Sequence, residues 1–206
     1  VVDGQQRLTT FIILVSSIIK FAAKNNIEYL NGDDLDEIKS RYIVEYKKPF
    51  KINKAFKFGY EVDNPSFEFL RYYIFGEGQT GSLQETFYTL NLENAKKFFD
   101  DNIESLFKEK GLEGLESLFR KLVNRLQFNI HYIEDDFDVF VAFETMNNRG
   151  KKLSNLEILK NRLIYLTTIY PDEVLPKDAK EQIRKDINDA WKEVYFELGR
   201  NKDKPL

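Results

Sequence analysis

The sequence predicts an α+β domain, predominantly helical with a small β-sheet. Apolar residues recur at helical spacing through several long segments, each bounded by cap or stop residues. One short stretch, residues 127–133, switches to a period of two, the signature of a half-buried strand. The 206 residues are 42% hydrophobic and 32% charged, with eighteen Phe and eleven Tyr, so the chain has ample material for a ring-filled core and is not disordered.

The elements follow in chain order. Val1-Val2 reads as a strand end, Asp3-Gly4 as a tight turn, and Gln5-Gln6-Arg7 as the mouth of a helix. In residues 8–23, Leu8, Phe11, Ile12, Val15, Ile18, Ile19 and Ala22 mark one face. Ile13, Leu14 and Phe21 fill much of the remaining circumference. A helix apolar on nearly every side belongs at the centre of its domain, and Asn25-Asn26 and residues 31–34 punctuate its end. Residues 35–46 are ambiguous in period. Aromatic residues and Lys mix through residues 49–60, predicting a strand or extended pair. Asn64-Pro65 predicts a cap and first helical residue for a short helix through Phe67, Leu70 and Tyr73. Residues 76–81 are a loop whose glycines neither follow a strand nor open a clear helix, so they carry no nucleotide fingerprint.

A helix is expected from Asn91, with Ala95, Phe98, Phe99, Ile103, Leu106 and Phe107 on one side, broken by Gly111 and Gly114. Another follows through Leu115, Leu118, Phe119 and Leu122. After the strand at residues 127–133, the spacing of Val139, Ala142, Phe143 and Met146 predicts a helix, with Gly150 just beyond it as a left-handed cap. Ser154 and Glu157 form a capping box for a helix lined by Leu156, Leu159, Leu163 and Leu166, which ends by Pro171. Ile183, Ile187, Ala190, Trp191, Val194 and Leu198 line the last helix, closed by Gly199. The expected organisation is a domain over residues 1–170 and a helical extension over residues 171–206. Because the chain opens inside what reads as a strand, without an initiator Met, upstream strands are expected to be missing.

Several chemistries are excluded or narrowed. The chain has no Cys, which removes disulfides and thiolate metal sites and is compatible with a reducing cytoplasm, the expected compartment. His131 is the only histidine, so no histidine-pair metal site exists, and it reads as a polar-face strand residue. A net charge of −3 does not draw the whole protein onto nucleic acid. The cluster of Lys47, Lys48, Lys51, Lys54 and Lys57 reads as a solvated basic face, with phosphate contact as the alternative. Residues 8–23 include Thr9, Thr10, Ser16, Ser17 and Lys20, too polar a set for a membrane span, and no membrane association is expected. No glycine–lysine phosphate loop and no histidine–asparagine–histidine nuclease pattern is present.

Two short blocks carry candidate chemistry. At the opening turn, helix N-terminal N–H groups favour an anion and Gly4 permits its close approach. Arg7 adds a planar fork suited to phosphate oxygens. The same residues also fit a purely structural start, with Asp3 as N-cap and Gln6 as its reciprocal partner. The second block, residues 146–154, joins two helices. Asn147 and Asn148 offer donors and acceptors, Arg149 a second fork, and Gly150 a sharp reversal. By itself this is an ordinary helical joint.

Asp3-Gly4-Gln5-Gln6-Arg7-Leu8 resembles the DGQQR motif of the GmrSD-type restriction endonuclease N-terminal domain family. Residues 143–154 resemble that family's F-x-x-x-N-x-R-G-x-x-L-S block, and they follow in the family's order. The resemblance spans nearly the whole chain, although the middle matches only in pattern. It implies a core related to ParB and sulfiredoxin, in which the opening turn and the second block face one nucleotide. It further implies that Gly4, Arg7, Asn147, Arg149 and Gly150 contact a nucleoside triphosphate, and that Glu144 helps bind Mg²⁺. Asp3, Gln5, Gln6 and Arg7 become the candidate catalytic residues, with Gln5 or Gln6 orienting water and Asp3 acting as base or metal ligand. The implied function is the NTP-binding and NTP-hydrolysing domain of a type IV restriction-like endonuclease against modified foreign DNA. DNA would be reached through other regions, and a nuclease domain or subunit would lie downstream. The alternative is a non-catalytic DNA-binding or protein-interaction module that keeps the turn only as a cap.

The capping box yields a test independent of function. Ser154→Ala should cost about 1 kcal/mol in equilibrium unfolding, because it orphans a helix N–H group. Nucleotide affinity should change far less; a loss of affinity at unchanged melting temperature would make Ser154 a ligand contact instead.

Overall fold

Nine residues of α1 (Gln5–Lys24) are buried, and they point in every direction around it: Thr9, Ile12, Ile13, Val15, Ser16, Ser17, Ile18, Ile19 and Ala22. Phe11, Leu14 and Phe21 pack against the same core from the remaining sides. Each fully buried isoleucine or valine contributes about 1.5–3 kcal/mol relative to exposure. By length and composition alone α1 is apolar enough to cross a membrane, but here it packs as the central helix of a core. Its end is closed by Asn26 at φ 56°, with the Ile27 N–H donating to Ala22 O at 2.9 Å and the Asn26 N–H to Ala23 O at 3.2 Å.

The computed structural model describes residues 4–47, 53–60, 64, 66–78, 86–128 and 155–199. The chain divides into two compact units, Gln6–Asn129, and Val1–Gln5 together with Ile130–Leu206. The described structure is mostly helical with two small antiparallel sheets, in keeping with the predicted class.

In the first unit, β1 (Tyr29–Leu30) and β2 (Asp33–Asp34) form a minimal hairpin around Asn31-Gly32, both at positive φ. Asn31 ties the hairpin to the far helix, its Nδ2 donating to Glu116 O at 3.0 Å. The ambiguous residues 35–46 resolve into α2 (Leu35–Tyr42) and β3 (Val44–Lys47). Asp34 caps α2 by accepting the Asp36 N–H at 2.8 Å. β4 (Asn53–Phe56) pairs antiparallel with β3, from Val44 opposite Phe56 to Lys47 opposite Asn53. The expected extended pair therefore exists, but its first strand lies upstream of the aromatic stretch. Of the basic cluster, Lys54 pairs with Glu77 and Lys57 with Glu45, so these two are consumed internally. Lys48 and Lys51 lie outside the described residues.

Asn64 does not cap the next helix directly. Its Oδ1 accepts the Ser66 N–H at 2.9 Å, and Ser66 takes the cap position of α3 (Phe67–Phe69). The helix then widens into a π-helical turn, Leu70–Ile74, closed by the Phe75 N–H on Leu70 O at 2.9 Å. Ser16 of α1 donates to Ile74 O at 3.1 Å, so the wide turn leans on the central helix. The long helix α4 (Phe87–Arg125) starts earlier than the expected Asn91. Thr86 accepts the Thr89 N–H at 3.2 Å while Thr89 Oγ1 accepts the Thr86 N–H at 2.8 Å. That reciprocal cap uses a hydroxyl where the usual signature has Glu or Gln, so the sequence pattern does not flag it. Gly111 breaks α4 into two runs; Gly114 stays helical, contrary to expectation.

In the second unit, α5 (Asn155–Ile169) packs on α6 (Lys177–Gly199). Arg184 Nε donates to Thr167 Oγ1 at 2.7 Å, and Trp191 is buried. The turn between them begins at Pro171, as expected. Gln127 and Phe128 have no regular structure, and the rest of the expected strand, with His131, lies outside the described residues, as do the expected helix over residues 139–146 and Ser154.

Gly111 sits at φ 58° and ψ −152°, a region open essentially only to glycine. Gly111→Ala should lower the urea-unfolding free energy by about 1–3 kcal/mol, although no neighbouring atom would meet the added methyl within 4 Å. An unchanged midpoint would mean that the two helical runs straighten without cost.

Candidate functional site

The opening turn delivers a helix end suited to an anion. Gly4 adopts φ +91°, and a side chain there would meet nothing within 4 Å. α1 starts at Gln5 with no acidic residue in its first turn, and the positive end of its dipole lies there. Gln5, Gln6 and Arg7 are all exposed there. Thr10 Oγ1 donates back to Gln6 O at 2.7 Å, and Thr9 Oγ1 lies 3.1 Å from the Tyr60 hydroxyl. Tyr60 is partly buried, which pushes its phenol above the ordinary value despite the Thr9 bond. Through that contact the start of α1 is held to the segment after β4.

Of the sequence-predicted residues, Gly4, Gln5, Gln6 and Arg7 are thus gathered at one helix terminus. Asp3, Glu144, Asn147, Arg149 and Gly150 lie outside the described residues. Among the described residues no group of three His, Asp or Glu side chains gathers to hold a metal ion.

The family model for the GmrSD restriction endonuclease, N-terminal domain, matches residues 1–164. The chain belongs to this family. No curated protein and no solved structure gives a match.

This GmrSD N-terminal domain also contains an ionic cluster that the sequence did not announce. Glu77 follows the π-helical turn and its side chain is only 4% exposed. Its carboxylate pairs with Lys39 of α2 at 2.5 Å and with Lys54 of β4 at 2.8 Å, and accepts the Tyr46 hydroxyl of β3 at 2.6 Å. Burial alone would raise the carboxyl, but the donated hydrogen bonds from Lys39, Lys54 and Tyr46 outweigh it and hold it at about 2. The same bond to Glu77, helped by burial, raises the Tyr46 phenol to about 12. Lys20 of α1 lies nearby; burial, then repulsion from Lys96, lowers its ammonium. One carboxylate thus ties α2, both strands of the second sheet and the exit of the π turn. Nothing in the Gly-rich run 76–81 distinguishes Glu77 from a solvated loop acid, because its partners come from three other elements.

The sign of the acid dependence follows. Glu77 is depressed from 4.5 to about 2, so its stabilisation is complete above the unfolded value and is lost as pH falls from about 4.5 to about 2. The loss should be on the order of 2 kcal/mol in unfolding free energy. Glu77→Gln should cost about 2–3 kcal/mol at neutral pH, below the cost of breaking a fully buried pair, since Lys39 and Lys54 are 31% and 33% exposed and keep some water. The variant should also flatten the pH–stability slope between pH 4.5 and 2. An unchanged slope would show that other carboxylates control it.

Proposed function

We propose that this chain is the NTP-binding and NTP-hydrolysing domain of a type IV restriction-like endonuclease acting in the cytoplasm against modified foreign DNA. Family membership supports a restriction-endonuclease role. The observation that carries the nucleotide reading is the acid-free start of α1, with Gly4 in a left-handed conformation and Arg7 exposed in the first turn. Phosphoryl transfer needs negative charge neutralised over the oxygens and a water held in line. The first-turn N–H groups and Arg7 answer the first requirement, and Gln5 or Gln6 the second. Asp3 is proposed as base, and Asn147, Arg149 and Gly150 as further phosphate contacts, on the family motif alone. Mg²⁺, with Glu144 as a ligand, rests on the same motif, and no step here is routed through it. The nuclease itself belongs to a downstream domain or subunit, which would provide the cleavage of DNA.

Arg7→Ala in the intact protein should lower nucleotide affinity roughly ten- to a hundredfold, the loss of a charge-assisted contact of about 1.5–3 kcal/mol. Turnover should fall at least as far, because the charge grows in the transition state. Arg7→Lys should restore only part, since a point charge does not reproduce a bidentate fork. Wild-type affinity and turnover in Arg7→Ala, measured by calorimetry and phosphate release, would leave the turn as a helix cap and favour a non-catalytic module.

A further inference from the structure

Arg71 lies in the π-helical turn, with its guanidinium carbon 3.9 Å from the Phe67 ring centre and 4.4 Å from the Phe56 ring centre. Both rings lie within cation–π distance of the guanidinium. The side chain is half-buried, and its Nε is sealed from solvent without a hydrogen-bond partner. Among the described residues no hydrogen bond or ion pair involves this guanidinium. Glu68, three residues earlier and exposed, does not pair with it. Among the described residues the charge thus has no anionic partner, and an anion at its remaining N–H groups would supply one.

The geometry restricts what that partner can be. Two aromatic rings lie against the cation, and all five guanidinium N–H bonds lie in its plane. With Nε sealed, access is through the Nη groups. A ligand that reaches them must present oxygens close to that plane. We infer that Arg71, held against Phe56 and Phe67, is a phosphate-binding residue separate from the α1 terminus. Its ligand is a phosphate group, carried either by the DNA backbone or by a free nucleotide. Arg71 lies in the π-helical turn, a feature frequent at functional sites. The inference rests on the family's restriction role for the choice of phosphate, and not on the nucleotide reading of Arg7.

The intact protein provides the test, with wild type, Arg71→Gln, Arg71→Lys and Arg7→Ala compared side by side. Binding of a labelled DNA duplex is followed by fluorescence anisotropy over a salt series, and ATP binding by calorimetry. Arg71→Gln should weaken duplex binding about tenfold at low salt and make the salt slope shallower by about one unit, with ATP affinity unchanged. Arg71→Lys should recover part of the loss while keeping the stacked stem. A tenfold loss of ATP affinity, with duplex binding intact, would assign the same phosphate site to free nucleotide. Arg7→Ala reports separately on the α1 terminus, so either reading can fail alone. As a check that needs no variant to fold, inorganic phosphate titrated into wild type should shift one arginine side-chain resonance beyond that of Arg7 in nitrogen-resolved NMR. Wild-type affinity of Arg71→Gln for both ligands, or no such shift, would overturn the proposal and leave Arg71 as a packing contact.

Discussion

The burial of α1 on all sides is the constraint from which the Gln6–Asn129 unit follows. A helix with one apolar stripe needs one neighbour, whereas a helix whose Ile13, Val15, Ile18 and Ala22 are all buried needs partners around its circumference. Those partners come from along the unit: Leu30 from the first hairpin, Ile38 from α2, Val44 from β3, Leu70 and Ile74 from the π turn, and Ile103, Leu115 and Phe119 from α4. Polar positions on α1 are absorbed by the same packing. Ser16 becomes a donor to a carbonyl of the π turn, and Thr9 meets the partly buried Tyr60.

A small sheet and short helices wrapped on one rod need something to set their order, and apolar contacts alone are non-directional. Glu77 supplies direction. Its two oxygens accept from three donors on three elements, which fixes the second sheet against α2 and against the exit of the π turn. Such a sealed carboxylate is tolerable only because every partner is present; it marks where the sheet must dock more than it adds net stability. Aromatic contacts run alongside it, with Phe56 stacked on Phe75 at 6.1 Å and Arg71 over Phe56 and Phe67.

The candidate chemistry sits at the edge of this construction. The core begins at Thr9, two residues after Arg7, while Gln5, Gln6 and Arg7 in the first turn of α1 remain exposed.

The sequence alone determined what depends on neighbours along the chain. Helical period identified α1 and its central place; Asn25-Asn26 marked its stop, Gly111 the break in α4, and Pro171 the turn between the last two helices. The DGQQR block and its partner block pointed to the family, which the family model over residues 1–164 matches. Local pattern failed where the partner is distant or the signal unusual. Residues 35–46 have no clear period, because they change from helix to strand at Ile43, and the hydroxyl pair at Thr86 and Thr89 replaces the usual cap. Only the tertiary structure decided the roles of Glu77 and Arg71. In the sequence each is one charged residue in a short segment. Folding sets each beside what other elements bring to it: two lysines and a tyrosine for Glu77, and two phenylalanine rings for Arg71.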